Sequence, residues 1–405
     1  MQKQRLVIAG GGIGGLAAAI GAARAGCEVQ LFERATVLAE VGAGVQLGPN
    51  AVRCLDAWGL HAALQAVAAF PERLQVRSAL SGAELAAMPL GDDIARRYGA
   101  AYVSIHRADL HGLLLDAAQA AGEAIAIHLG DAVALHGDDG SQAVVRLASG
   151  RVAAGDALIG ADGLRSPTRA RLLGQEPTRT SGHLAYRSVV PQSALPAALR
   201  TAQVTAWLGP RLHVVQYPVR RGELMNVVAI RHGHPPDDLD SWDHAANAAE
   251  LEAALAGTCA ALQDLVRAVP QAGPGWRLWP LSDRPPVRGP REMAQGRVAL
   301  LGDAAHPMRP YLAQGAGMAI EDAVALQGAL AMGGDVPMAE RLQHYAGQRW
   351  QRVARVQSRA ERNGRIFHAT GPVRWARDAT LRLGGERVLD LPWLYGAGPA
   401  AAPAR

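Results

Sequence analysis

At 405 residues, 49% of them hydrophobic and 19% charged, the chain has the size for two cores and is too apolar to be disordered. Cys27, Cys54 and Cys259 are too few and too scattered for a disulfide framework, and no CxxC pair points to zinc, so no metal site is expected. The net charge of +5 is dispersed, without basic runs interleaved with aromatics, which argues against nucleic acid and leaves a mild attraction for anionic small molecules.

The chain opens with "RLVIAGGGIGGLAAAIGAARAGCEVQLFERA", which reads as strand, glycine turn, Ala-rich helix, strand. The apolar start is too short for a signal core or a membrane span, so a cytoplasmic protein with no membrane partner is expected. "VGAGVQLGPNAVRCLDAWGL" reads as a Gly/Pro loop running into a helix, residues 72–98 as extended pieces, and "HRADLHGLLLDAAQAAG" as a helix. "VVRLASGRVAAGDALIGADG" reads as strand, turn, strand, and residues 181–231 as β-rich. A helical stretch near 245–269 precedes "LLGDAAHPMRPYLAQGAGMAIEDAVAL", which returns to strand, loop, helix. Residues 338–368 suit one long helix with an apolar stripe under a solvated face, a surface on which a homodimer could form. The tail "GAGPAAAPAR" is low-complexity and expected to be disordered.

The outer pieces are α/β and the middle is antiparallel β. The expected fold is therefore a Rossmann-like dinucleotide-binding domain interrupted by an antiparallel β-sheet domain, with a C-terminal helical segment. The expected boundaries are 1–71, 99–178 and 286–335 for the first domain and 72–98 and 179–285 for the second. The helical segment is 336–395 and the tail 396–405.

Gly10, Gly12 and Gly15 fit GxGxxG between a strand and a helix. The first glycine permits the turn, the second lets a pyrophosphate approach the backbone, and the third lets helix and strand pack closely. Glu33, ending the next strand, is placed to bind a ribose hydroxyl pair, which favours FAD or NAD over a 2′-phosphorylated nucleotide. A second GxGxxG, usual in two-nucleotide flavoproteins of the disulfide-reductase type, is missing.

With that fingerprint, "GDALIGADGLRSPTR" and "LLGDAAHPMRPYLAQGAGMAIEDAVAL" resemble the Asp-Gly and Gly-Asp motifs of the single-component FAD-dependent aromatic hydroxylases. "GAGVQLGPNAVRCLDAWGL" and "SIHRADLHGLLL" are most similar to the salicylate, 3-hydroxybenzoate and 6-hydroxynicotinate hydroxylase branch. The resemblance extends to about residue 370 and is looser in the middle domain. It implies that Asp303 binds a ribityl hydroxyl of FAD and that Gly315, Ala316 and Gly317 open a helix against the flavin's N1/O2 edge. It implies Asp162 near the pyrophosphate, Arg107 at the ribityl-phosphate region, and Gly44, Val45 and Gln46 beside the isoalloxazine. Arg34, beside Glu33, either stacks on adenine or is solvated. Arg165 and Arg169 either steer nicotinamide phosphates or face solvent.

The family reaction implied is reduction of FAD by NADH or NADPH, then addition of O2 to give a flavin C4a-hydroperoxide that hydroxylates an electron-rich ring. A phenol has a pKa near 10, so forming phenolate at neutral pH costs roughly 4 kcal/mol, which a base can offset. In "RLHVVQYPV", His213, Val215 and Tyr217 share one face of a strand. The named branch has a histidine and a tyrosine at this spacing facing the ring, which implies catalytic roles for His213 and Tyr217. Tyr186, Arg187 and Gln216 are further substrate-lining candidates, Pro310 begins the loop above the flavin, and His306 is expected to be structural. The expected function is FAD-dependent monooxygenation of a small aromatic acid or hydroxylated N-heterocycle. The alternative is a non-hydroxylating flavoprotein of the same fold, another flavin oxidoreductase or a redox sensor. "WRLWP" lacks the WxWxIP spacing of flavin halogenases.

Overall fold

The computed structural model describes residues 3–38, 43–174, 178–233, 244–245, 248–333 and 335–398. The expected disorder of the tail falls, from residue 399 on, outside the described residues. By packing, the chain divides into residues 1–40, 110–179 and 282–360, and residues 41–109, 180–281 and 361–405. The first is a nucleotide-type α/β unit, the second a sheet unit.

The core of the α/β unit is a six-stranded sheet. Arg5–Ala9 lies parallel between Ala157–Gly160 and Glu28–Glu33. Val298–Leu300 and Ile125–Leu129 extend the parallel array on either side, and Ala294–Gln295 closes one edge antiparallel. Leu6, Val7 and Ile8 are fully buried, as expected for a parallel strand covered on both faces. The Ala-rich helix Ile13–Arg24 packs closely on the helix Gly315–Leu330, where a Cβ on Gly21 would sit 2.7 Å from the Ala323 carbonyl oxygen. Against the other face lies a three-stranded sheet, Val133–Asp138, Ala143–Leu147 and Val152–Gly155, burying Val133, Val145 and Leu147.

The sheet unit is built on eight strands, in the order His244–Ala245, Arg277–Asp283, Arg179–Pro191, Leu224–His232, Leu212–Val219, Val204–Gly209, Arg73–Ser78, Glu84–Pro89. The helices Ala248–Leu255 and Ala260–Ala272 cover one face, burying Leu184, Tyr186, Val214, Val227 and Ala229 against Leu251, Leu262 and Val266.

Three sequence expectations change. Gly44–Leu47 is a strand rather than loop, paired antiparallel with Val103–His106. Residues 72–98 end in a helix, Gly91–Tyr98, with Asp92 and Asp93 in its first turn, Arg96 and Arg97 in its last and Gly99 left-handed at its C-cap. Residues 41–71 and 99–109, expected with the nucleotide domain, pack in the sheet unit. The reason is local: Gly44 N–H donates to Asn226 Oδ1 at 2.6 Å and Ser104 Oγ donates to the Pro218 carbonyl at 2.5 Å.

Candidate flavin and substrate sites

Four neighbouring parallel strands of the α/β unit end on one edge, at Leu300, Gly160, Ala9 and Glu33. Ligands of open α/β sheets bind outside these carboxyl ends. Gly10 N–H donates to the Phe32 carbonyl (2.8 Å), Ala161 N–H to the Ala9 carbonyl (2.8 Å) and Leu301 N–H to the Gly160 carbonyl (2.9 Å). The glycine, Asp-Gly and Gly-Asp motifs therefore leave the sheet side by side.

The three fingerprint glycines differ in what surrounds them. Gly10 has φ +103°, and a Cβ there would lie 2.5 Å from the Ala161 carbonyl oxygen. A Cβ on Gly15 would lie 1.8 Å from the Gly10 carbonyl oxygen, an overlap no side chain tolerates. A Cβ on Gly12 would meet nothing within 4 Å, so its face of the loop is open where the helix Ile13–Arg24 begins. Glu33 holds the loop: Oε2 accepts from Gly11 N–H at 2.6 Å and Oε1 from Ala35 N–H at 2.9 Å. His111, which the sequence did not single out, bonds the Gly11 carbonyl through Nε2 at 2.8 Å. Arg34 is exposed.

Asp162 Oδ2 accepts from Thr168 N–H (3.0 Å) and Thr168 Oγ1 (2.6 Å), while its buried Oδ1 has no partner among the described residues. Arg169 was expected either to steer a nicotinamide or to face solvent. It does neither: it is buried, donating to the carbonyls of Leu164 (2.6 Å), Asp303 (3.2 Å) and Ala304 (2.8 Å), and so fastens the Asp-Gly loop to the Gly-Asp turn. Arg165 is exposed. Asp303 sits in the turn Gly302–Ala304 with its side chain outward. Beneath it, Asp322 Oδ2 accepts from Gly302 N–H (3.1 Å) and pairs with His306 Nε2 (2.6 Å), while Arg349 Nε donates to Asp322 Oδ1 (2.7 Å). Burial pushes the Asp322 carboxyl upward, but the charges and hydrogen bonds of His306 and Arg349 outweigh it and hold the acid below its usual range. His306 is thus part of the foundation.

The helix Gly315–Leu330 starts without a side-chain cap hydrogen bond from Gln314, so that side chain takes none of the first N–H groups, those of Gly315, Ala316 and Gly317. Pro310 is exposed and its carbonyl accepts from Ala313 N–H at 3.2 Å. An orphaned carboxylate oxygen on Asp162, an open glycine turn and an uncapped helix start fit an extended nucleotide with a pyrophosphate and hydroxyls.

In the sheet unit, strand register sorts the candidates by face. Tyr217 pairs with Asn226 and Val215 with Val228, and Arg187 also pairs with Val228. His213, Val215, Tyr217, Asn226 and Arg187 therefore share the face away from the two covering helices. Tyr186 pairs with Ala229 and Gln216 with Val227, on the helix-covered face. Those two are corrected: Tyr186 is fully buried there, its hydroxyl bonding Glu250 and Arg231, and Gln216 accepts from Trp207 Nε1. The strand period of two put Arg187 and Tyr186 on opposite sides.

Around Tyr217 the packing is close. A Cβ on Gly44 would lie 2.5 Å from the Tyr217 ring and 2.8 Å from Asn226. Tyr102 Oη donates to Gln46 Oε1 at 2.5 Å, and burial raises Tyr217 to about 12 although Arg187 and hydrogen bonds with Gln46 and Asn226 lower it, so its phenol stays neutral. Val45 lies between Gly44 and Gln46 on the same strand, half-buried. Arg107 begins the helix Arg107–Ala120, its N–H donating to the Ala43 carbonyl at 2.8 Å. The Arg187 guanidinium lies over the Trp279 ring at 5.5 Å with its buried Nε unpartnered among the described residues. Its pKa is lowered by burial, yet a guanidinium stays charged, so this is a desolvated cation next to a neutral phenol. His213 is 2% exposed, and burial and His183 depress it to about 3. At neutral pH it is an uncharged imidazole and a feeble proton acceptor, better suited to hydrogen bonding than to the expected role of base.

Comparison with known proteins adds the following. A family model described as FAD binding domain matches residues 3–360. The chain is 37% identical over 394 residues to a 3-hydroxybenzoate 6-hydroxylase of Polaromonas naphthalenivorans, covering 96% of this chain and 95% of that one. It is 35% identical over 360 residues to a 6-hydroxynicotinate 3-monooxygenase of Bordetella bronchiseptica, covering 88% and 90%. Among solved structures, a salicylate hydroxylase substrate complex superposes with a TM-score of 0.80 at 26% identity, over 99% of both chains.

Proposed function

Since this chain belongs to the FAD-dependent aromatic hydroxylases, we propose that its own substrate is a small hydroxylated aromatic acid and that Arg187 binds the carboxylate. The protein is a flavoprotein monooxygenase, and its relatives support hydroxylation rather than the alternative of a non-hydroxylating flavoprotein. NAD(P)H is the reductant in this family, and we assign O2 as the oxidant. Among the described residues no helix is long and apolar enough to cross a membrane. We place the enzyme in the cytoplasm and leave a homodimer through the C-terminal helices as the assembly to test.

The observation that carries the substrate class is the Arg187 cation, desolvated against Trp279 with an unmet donor. A half-buried guanidinium with a buried, unmet Nε favours an anion, and a carboxylate matches its planar fork. A 6-hydroxynicotinate-like N-heterocyclic acid satisfies the same requirement.

FAD, when bound, supplies the electron transfer and oxygen chemistry; the chain's own residues bind, orient and exclude water. Gly10, Gly12 and Gly15 would hold the pyrophosphate with Asp162, Glu33 the adenosine ribose with Arg34 beside the adenine, and Asp303 and Arg107 the ribityl chain. The open helix start at Gly315, Ala316 and Gly317 would stabilise negative charge on the flavin's N1/O2 edge. Gly44, Val45 and Gln46 would back the flavin ring, and the Pro310 loop would close over it. Tyr217, kept neutral, donates or accepts a hydrogen bond at the ring hydroxyl, and His213 offers a second.

The test is a panel of hydroxybenzoates and hydroxynicotinates beside the corresponding phenols and hydroxypyridines without a carboxyl group. Arg187→Gln is expected to raise KM for the acids by about 10- to 100-fold, from loss of a charge-assisted hydrogen bond of about 1.5–3 kcal/mol, and to leave the neutral analogues unchanged. An equal effect on both classes would remove Arg187 from carboxylate recognition.

A further inference from the structure

On the face that carries Tyr217 and Arg187, the strands bring His183, His213 and His232 together, and His368 joins them. His183 and His232 are directly opposed on neighbouring antiparallel strands, their rings stacked with centroids 4.4 Å apart. His368, which follows the helix Met338–Phe367, packs against both, at 5.0 and 4.9 Å. One ring nitrogen from each of the three lies within 4.8 Å of the others. His213 Nδ1 is 2.7 Å from His368 Nε2.

We propose that His183, His232 and His368 form a binding site for a late first-row divalent cation, with Zn2+ the best match. Three imidazoles and no sulfur or carboxylate form the ligand set of a borderline metal, and imidazole binds such ions as the neutral base. Arg377, the nearby cation, is paired with Asp378 at 2.8 Å. Two nitrogens at about 2.0–2.1 Å from one tetrahedral ion are about 3.4 Å apart, so a pair at the full 4.8 Å must close by about 1.4 Å. Side-chain rotation of His232, which is exposed, can supply that. Its exposure also provides an entry path and a position for a water as fourth ligand.

The backbone is prepared for the site. Arg211 N–H donates to the His368 carbonyl at 3.0 Å, and His232 N–H donates to the Arg211 carbonyl at 3.1 Å. The segment bearing His368 is thus registered against the strand bearing His232 before any ion arrives. His368 Nε2 lies 2.7 Å from His213 Nδ1, and the ion would take His368 Nδ1. With Nδ1 metallated, the ring proton sits on Nε2 and is donated to His213 Nδ1, the usual outer-shell arrangement for a metal-bound histidine. The ion would staple residue 368 to the strands Arg179–Pro191 and Leu224–His232.

The proposal stands apart from the hydroxylase reading, because its readout is metal and not product. Full-length, FAD-loaded protein dialysed against a chelator is titrated with Zn2+ alone and, separately, Co2+ alone. One ion per chain is expected, with Co2+ giving the visible absorption of a tetrahedral nitrogen site and Zn2+ raising the thermal midpoint. His232→Ala, at an exposed position, should weaken binding about 100-fold or more, and His213→Gln, as the outer partner, about 10- to 100-fold. His61→Ala, at an exposed histidine outside the cluster, should leave affinity unchanged. Failure to bind one equivalent, or equal affinity in wild type and His232→Ala, overturns the site. Circular dichroism and flavin retention establish that each variant is folded, and His232→Asn serves if the alanine variant is not.

Discussion

The two units hold their candidate ligands by different means. In the α/β unit the proposed site is framed mainly by backbone: Gly12 faces open space and four parallel strands end side by side, with Glu33, Asp162 and Asp303 beside them. In the sheet unit the proposed site is framed by side chains on one sheet face, tied to segments up to 182 residues away, as Asn226 Oδ1 is to Gly44 N–H. The first arrangement tolerates few sequences and is compact along the chain. The second allows many residues at each position, which is how one scaffold serves different aromatic substrates.

This contrast can be broken most severely at the fingerprint glycines. Gly15→Ala puts a Cβ into the Gly10 carbonyl and is expected to abolish soluble, flavin-loaded protein. Gly12→Ala meets open space, so it should fold with a near wild-type thermal midpoint once FAD is stripped from both, yet weaken FAD binding by at least tenfold. If Gly12→Ala unfolds as Gly15→Ala does, the open cradle is wrong. Next comes the foundation of the Gly-Asp turn. Arg349→Met leaves Asp322 buried beside Glu321 without its cation, at a cost of about 3–5 kcal/mol in denaturant unfolding. Asp322's folded pKa is depressed, so its contribution is present above the unfolded carboxyl value of about 3.9 and lost as pH falls through the folded value. Wild-type stability should therefore drop as pH falls below about 4, and Asp322→Asn should show a shallower acid slope. Equal slopes would place the acid sensitivity elsewhere. The smallest effect is expected in the sheet unit. Tyr217→Phe should slow hydroxylation about tenfold through one lost hydrogen bond. With its phenol raised to about 12, Tyr217 adds no alkaline limb between pH 7 and 10, and a limb present in wild type but missing from Tyr217→Phe would contradict that.

Sequence legibility divides along the same line. Gly10, Gly12, Gly15, Asp162 and Asp303 were readable because a tight turn at a strand end dictates residue type at fixed spacing. The helix Gly91–Tyr98 carried its own signals, acids first, arginines last, then glycine, in a stretch whose short apolar pieces suggested strands. His213 and Tyr217 follow from a period of two, and the same period, applied to 186, 187 and 216, separates Arg187 from the other two. Asn226 was missed although an asparagine inside the apolar run "LMNVVAI" marks a strand position with a polar task. Arg169, Arg349 and the histidine trio at 183, 232 and 368 were not legible, because each depends on tertiary contacts between distant segments.

The central claim is that this FAD-dependent hydroxylase oxygenates a small aromatic acid whose carboxylate Arg187 holds. The direct measurement is turnover of the purified enzyme with NAD(P)H under 18O2 across the aromatic-acid panel, with products identified by mass spectrometry. The account predicts one acid that stimulates NAD(P)H oxidation and leaves with a single 18O on the ring. Flavin-free protein, or oxidation that yields only hydrogen peroxide with every acid and N-heterocycle in the panel, would contradict it.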